Sequence, residues 1–150
     1  TPEALRLRGT VAVANSRLVY ERFGEIFHGE AFAAARGRGA RVQRPLWAST
    51  STKNPAYPDT KYVTELIGPE TVNTIPLATL EAFRDHGRVE RTLDTDFDGA
   101  RAVLDALPGL GIDLDAVTEQ LQADGVTAFA DAFDALLGAL ESRRRELGGA

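Results

Sequence analysis

The chain has 150 residues, a formal net charge of −5, and no cysteine or methionine. A content of 43% hydrophobic and 26% charged residues is ordinary for a globular protein, so fibrous and strongly disordered classes are excluded. The lack of cysteine excludes disulfides and thiolate chemistry and is compatible with the cytoplasmic location that we expect. The acidic balance argues against general nucleic-acid binding, and no apolar run approaches the roughly 18 residues of a membrane helix. We therefore expect no nucleic-acid or membrane partner.

The first predicted helix covers residues 10 to about 27. Its apolar residues recur at the spacing of one helix face and are Leu18, Val19, Phe23, Ile26 and Phe27. Gly29 and the arginine- and glycine-rich stretch after it are predicted to end this helix.

Charge is distributed unevenly along the chain. Residues 1 to 44 contain eight arginines against four glutamates, whereas residues 95 to 150 contain four arginines against eleven acidic residues. Four arginines of the basic part lie close together in sequence: Arg36, Arg38, Arg41 and Arg44. They indicate either a basic patch for phosphate or RNA, or a solvated loop between a helix and a strand. We favour the loop, because charge runs at helix ends are common.

Two strands are predicted, around residues 42 to 49 and 70 to 75. A strand–helix–strand unit makes them parallel neighbours, and their outer edges then need further partners. Between them, Asp59 is predicted to cap a short helix that Gly68-Pro69 ends, with apolar residues Tyr62, Val63, Leu66 and Ile67.

The rest of the chain reads as helices. Pro76 opens one that ends at Gly87, with an apolar stripe of Leu77, Leu80 and Phe83. Three more are predicted over residues 97 to 107, 114 to 122 and 129 to 147, separated by Pro108-Gly109 and by Gly125. The spacing of Asp94, Asp96 and Asp98 is similar to the start of a calcium loop, but the glycine and terminal glutamate are missing, so no metal site is expected.

A cluster of polar side chains follows the first strand. Residues 49 to 54 read Ser-Thr-Ser-Thr-Lys-Asn, a set of hydrogen-bond donors suited to an anionic oxygen. Ser49 and Thr50 lie where a strand ends, and the alternative to a ligand role is bonding to local backbone. Lys53 as a Schiff-base nucleophile would need desolvation or a neighbouring cation, and its neighbours are hydroxyls. A phosphate anchor is favoured, and a solvent-exposed lysine is the remaining alternative.

The segment from Arg44 to Pro76 contains WAST, KNP, YPDT, YVTELIGP and TVNTIP in that order. In this it resembles the transaldolases, specifically their longer bacterial branch, and the similarity extends to GTVAVANSRLVYERF, GIDLD and VTEQLQADGV. The resemblance implies an α/β fold, the (β/α)8 TIM barrel of the class I aldolases. Such a barrel needs roughly 250 residues. We therefore expect residues 1–150 to be the C-terminal portion of one barrel domain, from the sixth helix onward, mostly helical with about two parallel strands.

The resemblance also implies an activity. Transaldolases transfer a dihydroxyacetone unit from sedoheptulose 7-phosphate or fructose 6-phosphate to an aldose phosphate through a lysine Schiff base, in the pentose phosphate pathway, without cofactor or metal. It assigns the substrate phosphate to Ser49, Lys53 and Asn54, with lysine in place of the family's usual arginine. Lysine is a point charge and cannot make a bidentate guanidinium contact.

The imine-forming lysine and the proton-transfer carboxylates are expected upstream of Thr1, so no catalytic residue is assigned in this chain. The expected partners are sugar phosphates and the N-terminal part of the same protein, and the 150 residues alone are expected to be inactive. The alternative is a stand-alone helical interaction module that descended from such a barrel and lost catalysis.

Overall fold

A computed structural model describes residues 1–148. The chain divides into two compact units, Thr1–Ala106 and Leu107–Ala150. The first unit contains both strands and six helices of its described residues. They are α1 (Pro2–Leu7), α2 (Val11–His28), α3 (Glu30–Gly37), β1 (Leu46–Trp47), α4 (Lys61–Thr64), β2 (Val72–Asn73), α5 (Leu77–His86) and α6 (Phe97–Asp105). The second contains a 3-10 turn, Pro108–Leu110, and α7 (Leu114–Gly148).

The two strands pair in parallel, as predicted. Leu46 is opposite Val72 and Trp47 is opposite Asn73. The amide of Val72 donates to the carbonyl of Pro45 at 2.9 Å, and the amide of Thr74 donates to that of Trp47 at 3.1 Å. The paired stretch is shorter than predicted, since a strand is defined by its ladder of hydrogen bonds and only these residues share one. The chain is therefore mostly helical around a short parallel pair.

A small apolar cluster lies beside the strands. It consists of Val13, Trp47, Leu66 and Leu93, with Tyr20 and Tyr62 packed against it. Leu93 has a relative exposure of 0%. The amides of Thr92 and Leu93 both donate to the carbonyl of Ile67 at 3.1 Å, which holds this loop against the chain that follows α4. The residue at the centre of the cluster, Leu93, therefore belongs to a loop, and no periodic apolar pattern in the sequence predicted that it would be buried.

Helix α2 confirms the predicted helix to within one residue at each end. Its predicted face is only partly right, because Phe23 is buried whereas Val19 and Ile26 are 46% and 43% exposed. Val13 and Ala14 are buried instead, near the start of the helix. Helix α2 packs against α6, and the residues that such packing buries depend on where the partner helix lies. A local sequence pattern does not contain the position of a helix that is distant in sequence.

The prediction that Arg36, Arg38, Arg41 and Arg44 lie in a loop was wrong for Arg36. Gly29 interrupts the chain with an extended backbone, φ −74° and ψ 167°, but α3 begins at once and includes Arg36. The sequence Glu-Ala-Phe-Ala-Ala-Ala consists mainly of strong helix formers, which explains why a second helix forms. Helix α1 was not predicted, and the side chain of Thr1 caps it by accepting from the amide of Ala4 at 3.3 Å.

The prediction that Asp59 caps α4 was wrong. The N-cap of α4 is Thr60, which makes no side-chain capping bond, and the helix is a single turn. Asp59 is instead bound to His86, 27 residues further along the chain. Helices α5 and α6 agree with prediction, and the N-cap of α6 is Asp96, whose carboxylate accepts from the amide of Gly99 at 2.8 Å.

The prediction that Gly125 separates two helices was wrong, because α7 is continuous through it. A single interior glycine costs about 1 kcal/mol relative to alanine, which the flanking helix formers offset. The Pro108-Gly109 break is confirmed as a 3-10 turn. The large apolar side chains of α7 are exposed: Val117, Leu121, Val126, Phe129, Phe133, Leu136, Leu137, Leu140 and Leu147.

Two further observations concern the described residues 1–148. None of their helices is both long enough and apolar enough to cross a membrane. They contain no group of three or more histidine and acidic side chains arranged to hold a metal ion.

Candidate phosphate-binding site

The predicted site residues follow the carboxyl end of β1. Because β1 and β2 are parallel, the residues after them meet at the same edge, where α/β proteins commonly bind ligands. Thr50 is 2% exposed, and its hydroxyl donates to Oδ1 of Asn73 at 2.8 Å. Thr50 therefore links the ends of the two strands, a role that neither sequence interpretation of this residue included.

Ser49 has a backbone conformation that non-glycine residues rarely adopt. Its φ is +55°, in the left-handed region, and its side chain is exposed. Such strained residues cluster at active sites and ligand clamps. In sequence, Ser49 lies between Trp47 and Thr50, whose side chains are both buried. Ser49 itself is exposed just after the end of β1.

A cavity of about 300 Å³ lies beside Ser49. Its lining comes from α2, from the end of β1 and from the chain around α4, and comprises Ala12, Ser16, Leu46, Trp47, Ala48, Ser49, Thr50, Tyr62 and Leu66. This volume is at the lower end of the range for small-molecule sites. Ser49 is the one predicted ligand among Ser49, Lys53 and Asn54 that lines it.

Trp47 adds a donor that the sequence interpretation did not assign to the site. Its Nε1 is buried and has no hydrogen-bond partner among the described residues, although the residue lines the cavity. A buried N–H without a partner costs free energy, so this donor is an unsatisfied polar group in a residue of the cavity wall. The available sequence signal was the single tryptophan, located directly before the hydroxyl cluster.

Lys53 and Asn54 lie in the loop that leads to α4. Nζ of Lys53 donates to Oγ of Ser51 at 2.7 Å, and the lysine side chain is exposed. Oδ1 of Asn54 accepts from the amide of Ala56 at 2.9 Å, which fixes a local turn and leaves the Nδ2 group as a donor. Thr52 holds the far side of the loop by donating to the carbonyl of Pro58 at 3.0 Å.

The electrostatic setting distinguishes the two lysines of the chain. Lys61, the first residue of α4, is paired with Glu65, the C-cap residue that follows the helix. Lys53 forms no ion pair with a carboxylate of the described residues. Its positive charge is therefore available to an anion, held near the strand end by a hydroxyl.

His86, the last residue of α5, contacts Asp59 just before α4. Its Nε2 lies 2.9 Å from Oδ1 of Asp59, and its Nδ1 lies 3.1 Å from Oδ2 of Asp85. The hydrogen bond with Asp59, followed by that with Asp85, raises the pKa of His86 above its ordinary value. The hydrogen bond from His86 lowers the pKa of Asp59. The sequence had suggested no partner for this histidine.

The His86–Asp59 pair predicts a pH-dependent contribution to stability. Because the pKa of His86 is raised, its contribution is complete below pH 6.5 and is lost as the pH rises through the folded-state pKa. Because the pKa of Asp59 is lowered, its contribution is complete above pH 3.8 and is lost as the pH falls through that lower value. We expect the melting temperature of wild type to exceed that of His86→Gln by the largest amount between pH 3.8 and pH 6.5. This difference in melting temperature should be smaller at pH 8.

The partner variant controls for other histidine contacts. In an Asp59→Asn background, adding His86→Gln should produce a smaller and flatter difference in melting temperature across the same pH series. A full-sized, pH-dependent difference in that background would show that Asp59 is not the partner that matters.

The chain is similar to a known protein family over most of its length. The model of a family described as Transaldolase/Fructose-6-phosphate aldolase matches residues 2–140. The chain belongs to this family. The resemblance predicted from the residues between Arg44 and Pro76 is thereby confirmed. Family membership implies a (β/α)8 barrel, and a mostly helical chain with two parallel strands is consistent with part of one.

Individual relatives are similar over nearly the whole chain. A transaldolase of Frankia alni is 51% identical over 141 residues, which are 93% of this chain and 38% of that protein. A transaldolase of Parafrankia sp. is 50% identical over 151 residues, covering 100% of this chain and 40% of the relative. Transaldolase 1 of Streptomyces coelicolor is 50% identical over 93% of this chain and 37% of its own length. The chain thus spans about two fifths of the length of the curated relatives it matches.

Proposed function

We propose that this chain is the C-terminal portion of a transaldolase. The enzyme would transfer a dihydroxyacetone unit from sedoheptulose 7-phosphate or fructose 6-phosphate to an aldose phosphate through a lysine Schiff base, as a cytoplasmic step of the pentose phosphate pathway. The observation that carries this proposal is about 50% identity, over nearly all of the chain, to proteins named transaldolases.

Within that enzyme, the role proposed for this chain is to hold the substrate phosphate. Ser49 offers a hydroxyl from a strained backbone, Lys53 offers a charge without a carboxylate partner among the described residues, and Asn54 offers an amide Nδ2. A phosphate dianion accepts charge-assisted hydrogen bonds from groups of this kind. Lys53 and Asn54 do not line the cavity, and their proposed contacts with the phosphate come from the loop that leads to α4.

The N-terminal part of the same protein is proposed as the partner that completes the barrel and supplies the imine-forming lysine and the carboxylates. Two observations support it: the short parallel pair has strand edges that a larger sheet would cover, and the apolar side chains of α7 are exposed. The same exposed face of α7 favours the alternative function, a catalytically inactive helical interaction module.

Activity separates these two proposals. The purified 150 residues should neither transfer dihydroxyacetone nor form a borohydride-trappable adduct with fructose 6-phosphate, and adding the N-terminal part of the same protein should restore both. Intact mass after borohydride reduction locates the adduct. An adduct on Lys53 or Lys61 in the isolated chain would overturn the proposed division of roles, and a complemented protein without transfer activity would favour the interaction module.

A further inference from the structure

The arginine-rich stretch that precedes β1 is not used by the proposed phosphate site. The turn after α3 folds it back: Gly39 has a φ of +91°, and the amide of Ala40 donates to the carbonyl of Ala35 at 3.1 Å. This reversal brings Arg41 and Arg44 beside Arg36 and the end of α2. Together they line a depression of about 690 Å³, with the lining residues His28, Arg36, Ala40, Arg41, Val42, Arg44 and Glu70.

We propose that this basic depression binds a small phosphorylated metabolite carrying two or more negative charges. Its lining contains three arginines and a single carboxylate, that of Glu70. Guanidinium groups match phosphate oxygens bidentately and remain charged at any physiological pH. The volume falls within the range of roughly 300 to 1,000 Å³ that is typical of small-molecule sites.

Arg36 is held in place before any ligand binds. One of its nitrogens donates to the carbonyl of Phe27, and its guanidinium lies 5.7 Å from the centre of the Phe32 ring. A guanidinium has five N–H donors, so most of them remain for a ligand. Such a preorganised cation loses little freedom when it binds an anion.

Arg41 and Arg44 carry positive charges that no carboxylate of the described residues neutralises. Within residues 1–148 neither forms an ion pair with a carboxylate. Glu70 is instead paired with His28, whose Nε2 lies 2.8 Å from its Oε2. Glu70 also has a left-handed backbone, with φ +56°.

The position of the depression separates it from Ser49. Arg44 precedes β1 and Glu70 precedes β2, so the depression lies at the amino ends of the strands, whereas Ser49 follows the carboxyl end of β1. A compact metabolite fits this lining better than RNA does, because single-stranded nucleic acid is bound along rows of aromatic side chains, and no phenylalanine, tyrosine or tryptophan of the described residues lines the depression.

The test is calorimetric titration of the full-length protein with inorganic pyrophosphate at low ionic strength. Arg41→Ala/Arg44→Ala should weaken binding by about tenfold or more, because two charge-assisted contacts are lost. Arg38→Ala is the matched control, since Arg38 belongs to the same stretch but does not line the depression, and it should change the dissociation constant by less than about twofold. Glu70→Gln should tighten binding, which a loss of folding cannot imitate.

Lys53→Ala distinguishes this site from the proposed substrate site, and pyrophosphate binding should survive it. The proposal is overturned if wild type does not bind millimolar pyrophosphate, if the double arginine variant binds it like wild type, or if Lys53→Ala abolishes binding. If the protein does not bind pyrophosphate but binds an RNA oligonucleotide through Arg41 and Arg44, the ligand of the depression is a nucleic acid and the metabolite proposal is wrong.

Discussion

In the complete enzyme, Lys53→Ala is expected to raise KM for fructose 6-phosphate by about ten- to a hundredfold, with a smaller change in kcat. This corresponds to roughly 1.4 to 2.8 kcal/mol of lost substrate binding. The physical reason is the loss of a charge-assisted hydrogen bond to a phosphate dianion. Lys53 is suited to this contact because the residue is exposed and, among the described residues, its ammonium donates only to the hydroxyl of Ser51, at 2.7 Å.

Two comparisons make this result specific. Unphosphorylated fructose and dihydroxyacetone lack the group that Lys53 would bind, so their KM values should hardly change. Lys61→Ala removes the same charge from the other lysine, which is paired with Glu65, and should leave KM for fructose 6-phosphate within about twofold.

The outcome that contradicts a phosphate anchor is an equal loss on phosphorylated and unphosphorylated donors. Lys53 would then act in the chemical step or in holding the loop. Ser49→Ala should resemble Lys53→Ala in its dependence on the phosphate, but with a smaller rise in KM, because a neutral hydroxyl contributes a weaker hydrogen bond than an ammonium.

Leu93→Ala is expected to lower the free energy of unfolding of the 150-residue chain by about 2 to 5 kcal/mol. Leu93 is fully buried in the cluster with Val13, Trp47 and Leu66. Its side chain also packs so closely on Gly68 that a Cβ there would lie 2.8 Å from its Cδ2. Truncation would remove buried methyl groups and leave a cavity that the loop, held by Ile67, cannot readily close.

Urea unfolding measures this change, provided that the dependence on denaturant stays constant between variants. The matched control is Leu77→Ala at the first residue of α5, because Leu77 is 70% exposed. It should change the free energy by no more than about 0.5 kcal/mol. If Leu93→Ala were as mild as Leu77→Ala, the cluster would not be the stabilising core of this unit.

Local signals determined several elements from the sequence. The limits of α2 followed from apolar spacing and Gly29, those of α5 from Pro76 and Gly87, and the break after α6 from Pro108-Gly109. Each of these signals operates within one or two helical turns, which is why a sequence window contains it. The family was evident from ordered motifs, which are also local.

The tertiary structure decided what depends on residues distant in sequence. Asp59 had two chemically reasonable uses, capping α4 or binding His86, and only the position of α5 selected the second. Thr50 could bond to local backbone or to a ligand, and the parallel pairing brought Asn73 to it instead. The side chains of Asp59 and Thr50 could each form a hydrogen bond with nearby backbone. The packing of the folded chain instead places a partner from a distant part of the sequence beside each of them.

The same distinction applies to the apolar and charged residues. Leu93 has no periodic neighbours, yet it fills the centre of the core because its loop bonds to Ile67. The sequence favoured a solvated loop for the arginines before β1, whereas the turn at Gly39 brings three of them around one depression and leaves Arg38 outside it. Spacing along the chain determines which residues can share a helix face, whereas the geometry of turns and strand pairs determines which distant side chains meet.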